Sequence, residues 1–260
     1  MRNWLVLFLL ISNCGHAQWQ WPQPIVKGGL QDLGGLFTQP LKNPKKAAIY
    51  FGIGSSVIYG VSRLDEPIND WMVRQETTSL NQIEHYGLRP FGGGAYALTT
   101  MGSMFLIGQL SKNDFLVESS TVAAESFVIA SLLVRIPKHL AHRSRPYHQL
   151  GSNNYTGPLA GQNSVAEMIQ FIKKHDYTSF PSGHTTAAFA IASSIAYVAK
   201  KHNQPKWVAI TAYSIAGLVG VSRIYSGDHW ASDVVAGATF SIFVSQYLSK
   251  NHHWQINSFQ

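Results

Sequence analysis

From Ala47 onward the chain is a succession of apolar segments at helical spacing. No stretch sustains the period-two alternation that a half-buried strand needs. The segments fall at 47–62, 66–84, 92–111, 115–136, 164–175, 184–200, 206–221 and 229–249. Start signals mark several of them: Ser164 and Glu167 have capping-box spacing, and Pro205 stands just ahead of the apolar run that begins at Trp207. The expectation is an all-α fold, a single-domain helical bundle over residues 47–250 followed by a tail at 251–260. Residues 18–46, rich in Pro, Gly, Gln and Trp, are expected to form an irregular arm packed on the bundle.

Such helices can be buried in protein or in lipid, and here composition matters. Hydrophobic residues make up 45% of the chain and charged residues 13%, low for a soluble domain. The basic stretches LKNPKK, SKND, KKHNQPK and SKNHH would share one side of a six-span layout, as the positive-inside rule expects. Against spanning, the apolar stretches are short for a bilayer core, and Glu118 and Glu125 are costly groups to face lipid. The balance favours an exported soluble or membrane-associated bundle over an integral one.

Export is read from the first 17 residues. Arg2 supplies a positive start, Trp4 to Ile11 an apolar core, and Gly15-His16-Ala17 a small-x-small cleavage site. Residues 1–17 are therefore expected to be a signal peptide, with a periplasmic or membrane-associated product. Cys14, the one cysteine, lies within this leader, and Asn13 before it fits a lipid-attachment signal poorly. The net charge of +7, with eleven histidines besides, suits anionic partners. Nucleic acid fits least well among them, because the cations are scattered and no reader motif is present.

Three clusters carry chemistry. In KHLAHRSRP, Lys138 precedes Arg145-Pro146 by seven positions; PSGH spans Pro181 to His184; SRIYSGDHWASD sets Ser222-Arg223 ahead of His229, with Asp233 four residues further on. On a helix, His229 and Asp233 would share a face, where a carboxylate fixes the imidazole tautomer. Alone, an HxxxD pair is most often an ordinary surface pair. A Gly-containing turn that opens a helix offers unpaired N–H groups and a positive dipole end, both suited to phosphate, though alone it is mostly a capped helix start. Lys138 and Arg145 add cations, and a guanidinium is shaped for paired bonds to phosphate oxygens.

In this order, K-x6-RP, PSGH and SR-x5-H-x3-D, the clusters resemble the signature of the superfamily that unites type 2 phosphatidic acid phosphatases, bacterial class A acid phosphatases and vanadium haloperoxidases. All three parts are present without a substitution. The resemblance implies that His229 is a nucleophile forming a phosphohistidine, that Asp233 holds its ring, and that His184 is the general acid and then the base. It implies that Lys138, Arg145 and Arg223, with the Ser182 hydroxyl and the Gly183 N–H, bind the phosphoryl oxygens. Three fixed cations can stabilise a phosphoryl transition state, so neither a metal nor another cofactor is expected. His139, His142 and His148 match no metal-ligand spacing, and Gly92-Gly93-Gly94 lacks the rest of a phosphate-loop motif.

The function expected is thus a metal-independent phosphomonoesterase acting on a lipid phosphate or diphosphate, or on a small soluble phosphate ester. The alternatives are a vanadium-dependent haloperoxidase on the same residue set, disfavoured by the short chain, and a non-catalytic phosphate- or lipid-binding relative, disfavoured because both histidines and the aspartate are present. Tyr147 to Thr178 joins the first two clusters and is expected near the phosphate site, either shaping the leaving-group pocket or serving only as a connection.

Overall fold

The structure, a computed structural model, describes residues 23–156 and 178–251. The expected leader at 1–17, the helix at 164–175 and the tail at 252–260 lie outside these residues. The described elements are α1 (Gln23–Lys42), α2 (Pro44–Ser62), α3 (Asp65–Val73), α4 (Thr78–Gln82), a π-helical turn (Ile83–Leu88), a 3-10 turn (Arg89–Gly92), α5 (Gly94–Ser111), α6 (Asp114–Leu133), α7 (Arg135–Ala141), a 3-10 turn (Pro146–His148), α8 (Gly183–Lys201), α9 (Lys206–Tyr225) and α10 (Ala231–Asn251). Among the described residues no strand forms, and Arg143 and Tyr155 make an isolated antiparallel bridge. The all-α expectation holds.

Helix α8 is the centre of the bundle, packed against α6, α9 and α10. Its sequence, GHTTAAFAIASSIAYVAKK, explains this position: small residues on several faces let neighbours approach closely. Ala190 joins Leu36 of α1, Ile129 and Ala130 of α6, and Val244 and Leu248 of α10 in one cluster. Ala188 and Ala192 meet Ala216 and Val219 of α9 in a second. Ala97 and Met101 of α5 pack on Ala123 of α6 in a third. At Gly237 an added Cβ would lie 2.6 Å from the Ser182 carbonyl, so only glycine lets α10 close on the mouth of α8.

Local signals set the ends. Asn113 caps α6 by accepting from the Leu116 N–H at 3.1 Å, and Thr77 caps α4 through the Leu80 N–H at 3.3 Å. Two expectations need correction. The arm expected to be irregular contains α1, because Leu33 and Leu36 find a complementary groove against α6, α8 and α10, and this tertiary contact overrides the glycines and Pro40. The segment 66–84 is not one helix: the chain breaks after Val73, restarts with Thr77 as cap and passes into the π-helical turn.

The outer faces are apolar and uncovered. None of the residues of α2 is buried, and Ile49, Phe51, Ile53 and Val57 are exposed. Leu98, Leu106 and Leu110 on α5 and Trp207, Ile210, Leu218 and Val221 on α9 are exposed too. Two stretches, Asp114–Ala141 and Lys206–Tyr225, are long and apolar enough to cross a membrane. Glu118 does not face outward alone, since it accepts from Lys201 Nζ at 2.6 Å and pairs with His202 Nε2 at 2.7 Å; Glu125 is buried.

Candidate active site

The three sequence clusters meet at one end of the bundle. Lys138 comes from α7, Arg145 from the segment after it, Ser182, Gly183 and His184 from the first turn of α8, Arg223 from the last turn of α9, and Asp233 from the first turn of α10. His229 lies in the short connection between α9 and α10. Backbone bonds tie these pieces together: the Ser182 N–H donates to the Asp233 carbonyl at 3.0 Å, and the His229 N–H to the Arg223 carbonyl at 3.1 Å. The site is thus a junction of helix ends, and α8 points its N-terminal N–H groups into it.

Phe180–Pro181 is a cis peptide just ahead of this turn. Ser182 is fully buried and caps α8: its oxygen accepts from the Thr185 N–H at 3.4 Å and from the Thr185 hydroxyl at 2.9 Å. Gly183 follows as the first helical residue, with the Lys138 side chain close by; a Cβ at Gly183 would sit 3.5 Å from Lys138 Cε. Lys138 Nζ donates to the Thr178 carbonyl at 2.6 Å. His184 packs on the 3-10 turn, where a Cβ at Gly92 would come within 2.8 Å of its ring, so this glycine admits the imidazole. Asp228, Arg89, Lys138 and Arg145 are the charged groups around His184.

His229 is buried. Its Nδ1 lies 3.7 Å from Asp233 Oδ2, an ion-pair contact longer than a direct hydrogen bond, and 3.4 Å from the Ser179 hydroxyl. Ser179 in turn donates to Asp233 Oδ2 at 2.5 Å. Burial pushes the His229 ring down to about 4, with Lys138 and Arg145 working in the same direction and Asp233 opposing it. The imidazole is therefore neutral at neutral pH, the form a nucleophile requires.

The cations are organised by a residue that the motif reading passed over. Asp228, next to His229 in sequence, accepts from Arg223 Nη1 at 3.0 Å, from Arg89 Nη2 at 3.1 Å and from Arg145 Nη1 at 3.4 Å. Glu84 completes the cluster by contacting Arg223 and, at 3.3 Å, Arg89 Nε. Arg145 Nε is buried and has no partner among the described residues. Arg143, two positions before the motif arginine, is fully buried against Asp65 and Asp233. The charge-dense stretches HRSRP and GDHW were the available signals for Arg143 and Asp228; Glu84 and Arg89 carried none, because the turns that bring them in have no motif. His139 and His142 lie with ring centroids 6.1 Å apart, and His148 stacks beside Tyr147.

Comparison with known proteins defines the family and the fold. A family model described as PAP2 superfamily matches residues 120–257, more than half of the chain. The chain belongs to that superfamily. It is 40% identical over 68 residues to the lipid A 1-phosphatase of Porphyromonas gingivalis, covering 26% of this chain and 15% of that protein. It is 32% identical over 120 residues to an undecaprenyl-diphosphatase of Sulfolobus acidocaldarius, covering 46% and 48% of the two chains, and 38% identical over 87 residues to phosphatidylglycerophosphatase B of Bacillus subtilis, covering 32% and 42%. The matches thus span less than half the length of each of these relatives. Among solved structures, a transmembrane PAP2-type phosphatidylglycerolphosphate phosphatase from Bacillus subtilis aligns with a TM-score of 0.55 at 26% identity, over 80% of this chain and 94% of that one.

Proposed function

We propose that the protein is a membrane phosphatase that hydrolyses a lipid phosphate or diphosphate, without metal, through a phosphohistidine on His229. The observation that carries this reading is the convergence of a buried neutral imidazole with Lys138, Arg145 and Arg223 at the positive end of α8.

His229 Nε2 attacks phosphorus while the bond to the leaving oxygen breaks, and His184 gives that oxygen its proton. Water then attacks the phosphohistidine, His184 takes the water proton, and phosphate departs with the His229 ring restored. The charge on the equatorial oxygens is met by Lys138, Arg145, Arg223, the Gly183 N–H and the Ser182 hydroxyl. Arg145 Nε, a buried donor without a partner among the described residues, supports an anion in this place.

The lipid substrate class is supported by the exposed apolar faces of α2, α5 and α9 and by the relatives' names. On this reading Asp114–Ala141 and Lys206–Tyr225 cross the bilayer. Helix directions define the two ends of the bundle. The nineteen residues of α8 span about 28 Å from the site to Lys200 and Lys201, and α9 and α10 run between the same two ends. Lys42, Lys45, Lys46, Lys112, Lys206 and Lys250 also fall at the end away from the site, but Arg63, Arg74, Arg89, Arg135, Lys138, Arg143, Arg145 and Arg223 balance them at the site end, so the basic residues set no orientation.

The test is phosphate release by the purified full chain from phosphatidate in detergent micelles, compared with a nucleoside monophosphate, with EDTA present. The lipid is expected to turn over faster, vanadate to inhibit, and His229→Ala and His184→Ala each to lose about a thousandfold or more of the rate. Turnover unchanged in His229→Ala sinks the mechanism, and a preference for the nucleotide sinks the substrate class.

A further inference from the structure

Arg143 makes five hydrogen bonds, and a guanidinium has five N–H donors. Its Nε donates to the Ser152 carbonyl at 2.9 Å, Nη2 to the same carbonyl at 2.6 Å and to Asp65 Oδ2 at 2.7 Å, and Nη1 to the Ser232 hydroxyl at 2.7 Å and to Asp233 Oδ1 at 2.5 Å. The rings of Tyr155 and Trp230 flank it, at 5.0 and 5.6 Å. No donor is left for a substrate oxygen, so Arg143 does different work from Arg145 two residues later.

The work is legible from the other side of the pair. Asp233 uses Oδ2 for the Ser179 hydroxyl and for the Trp230 N–H at 2.9 Å, and this is the oxygen that faces His229 Nδ1. Oδ1 is taken by Arg143, so the carboxylate cannot turn about its own axis without breaking a buried ion pair. Arg143 is in turn fixed by Asp65, which accepts from the Ser232 N–H at 2.8 Å and the Ser232 hydroxyl at 2.6 Å. The start of α3, the segment after α7 and the first turn of α10 are thereby locked into one unit behind the nucleophile.

We propose that Arg143, clamped between Asp65 and Asp233, is a positioning residue: it fixes the Asp233 carboxylate so that the His229 ring presents Nε2 to phosphorus. This rests on the reading of His229 as the nucleophile. The charged and titratable groups facing the His229–Asp233 pair are Asp65 from α3, Lys138 from α7, Arg143, Arg145 and Tyr155 from the segment after it, Arg223 from the last turn of α9 and Asp228 from the α9–α10 connection. Of these, Arg143 alone bonds Asp233 directly. Removing its charge leaves Asp233 a stronger attractor for a protonated His229, so the ring takes up a proton at higher pH.

The experiment compares Arg143→Met, Arg143→Lys, Asp65→Asn and His229→Ala in the full chain, with phosphatidate in micelles as substrate and a thermal melt with vanadate as the check on folding. Arg143→Met is expected to lower kcat about a hundredfold with KM within about twofold, as a misplaced reacting group does, and to move the acid limb of kcat/KM up by about one pH unit. Arg143→Lys should recover part of the rate. Asp65→Asn breaks the same buried cluster yet leaves the cation on Asp233, so its acid limb should not rise. An acid limb that stays in place in a folded Arg143→Met, or that moves equally in Arg143→Lys and Asp65→Asn if the Met variant does not fold, overturns the proposal. Turnover by His229→Ala would overturn the nucleophile reading instead, so the two failures are distinguishable.

Discussion

Asp228 and His229 are neighbours in sequence with opposite electrostatic tasks. Burial raises Asp228, but the Ser226 hydroxyl and then Arg223, Arg145 and Arg89 outweigh it and hold the carboxylate below its usual range. The carboxylate sits on the guanidinium groups of Arg223 and Arg145, to which the proposed mechanism assigns phosphoryl oxygens. Asp228→Asn should strengthen inhibition by inorganic phosphate about threefold or more, since the cations lose a competitor; a weakened phosphate inhibition would show that Asp228 only orders them. For His229 the shift runs from the ordinary 6.5 to about 4. The ring thus stays neutral above pH 4, and the acid limb of kcat/KM due to the nucleophile is expected there. Between 6.5 and 4 the unfolded chain binds a proton that the folded one refuses, so this group erodes stability as pH falls through that window and leaves it unaffected above. A pH–rate profile whose nucleophile limb lies near 6.5 contradicts the account.

At the scale of elements, the mouth of α8 depends on the close approach of α10. A methyl group at Gly237 would collide with the Ser182 carbonyl, which belongs to backbone and cannot step aside. Gly237→Ala is expected to destabilise the protein by about 1–3 kcal/mol and to lower activity with it, read by thermal melt and turnover together. A variant with unchanged melting and rate would show that the junction is looser than its geometry. Much of this junction was readable in advance. The capping chemistry of PSGH is a local signal that marks Ser182 as the cap of α8, as observed, whereas the helix expected from residue 229 begins at Ala231 and leaves His229 in the connection ahead of it. Helix α1 was not readable because it depends on what the rest of the bundle offers to Leu36, and the break in 66–84 was missed although Thr77 is a local cap, here also held by its N–H donating to the Tyr225 hydroxyl at 3.3 Å. Arg143 and Asp228 lay in plain view beside motif residues, but only three-dimensional pairing separates a supporting charge from a substrate-binding one.

For the whole molecule, the exposed apolar faces of α2, α5 and α9 argue for membrane association of the bundle. The protein is expected to remain with the membrane fraction through an alkaline carbonate wash and to need detergent for release; extraction by carbonate alone would return it to the peripheral class. The sequence favoured a soluble or membrane-associated bundle over an integral one, because its apolar stretches are short for a bilayer core and Glu118 and Glu125 are costly to face lipid. The exposure of Phe51, Leu110 and Trp207 weighs toward lipid. The central claim is that phosphate passes through His229. It is tested most directly by acid-free quenching of the full chain during turnover of a phosphate-labelled lipid, followed by mapping of the label. The account predicts an alkali-stable, acid-labile label on His229, absent from His229→Ala; turnover with label elsewhere, or with none trapped while His229→Ala stays active, would contradict it.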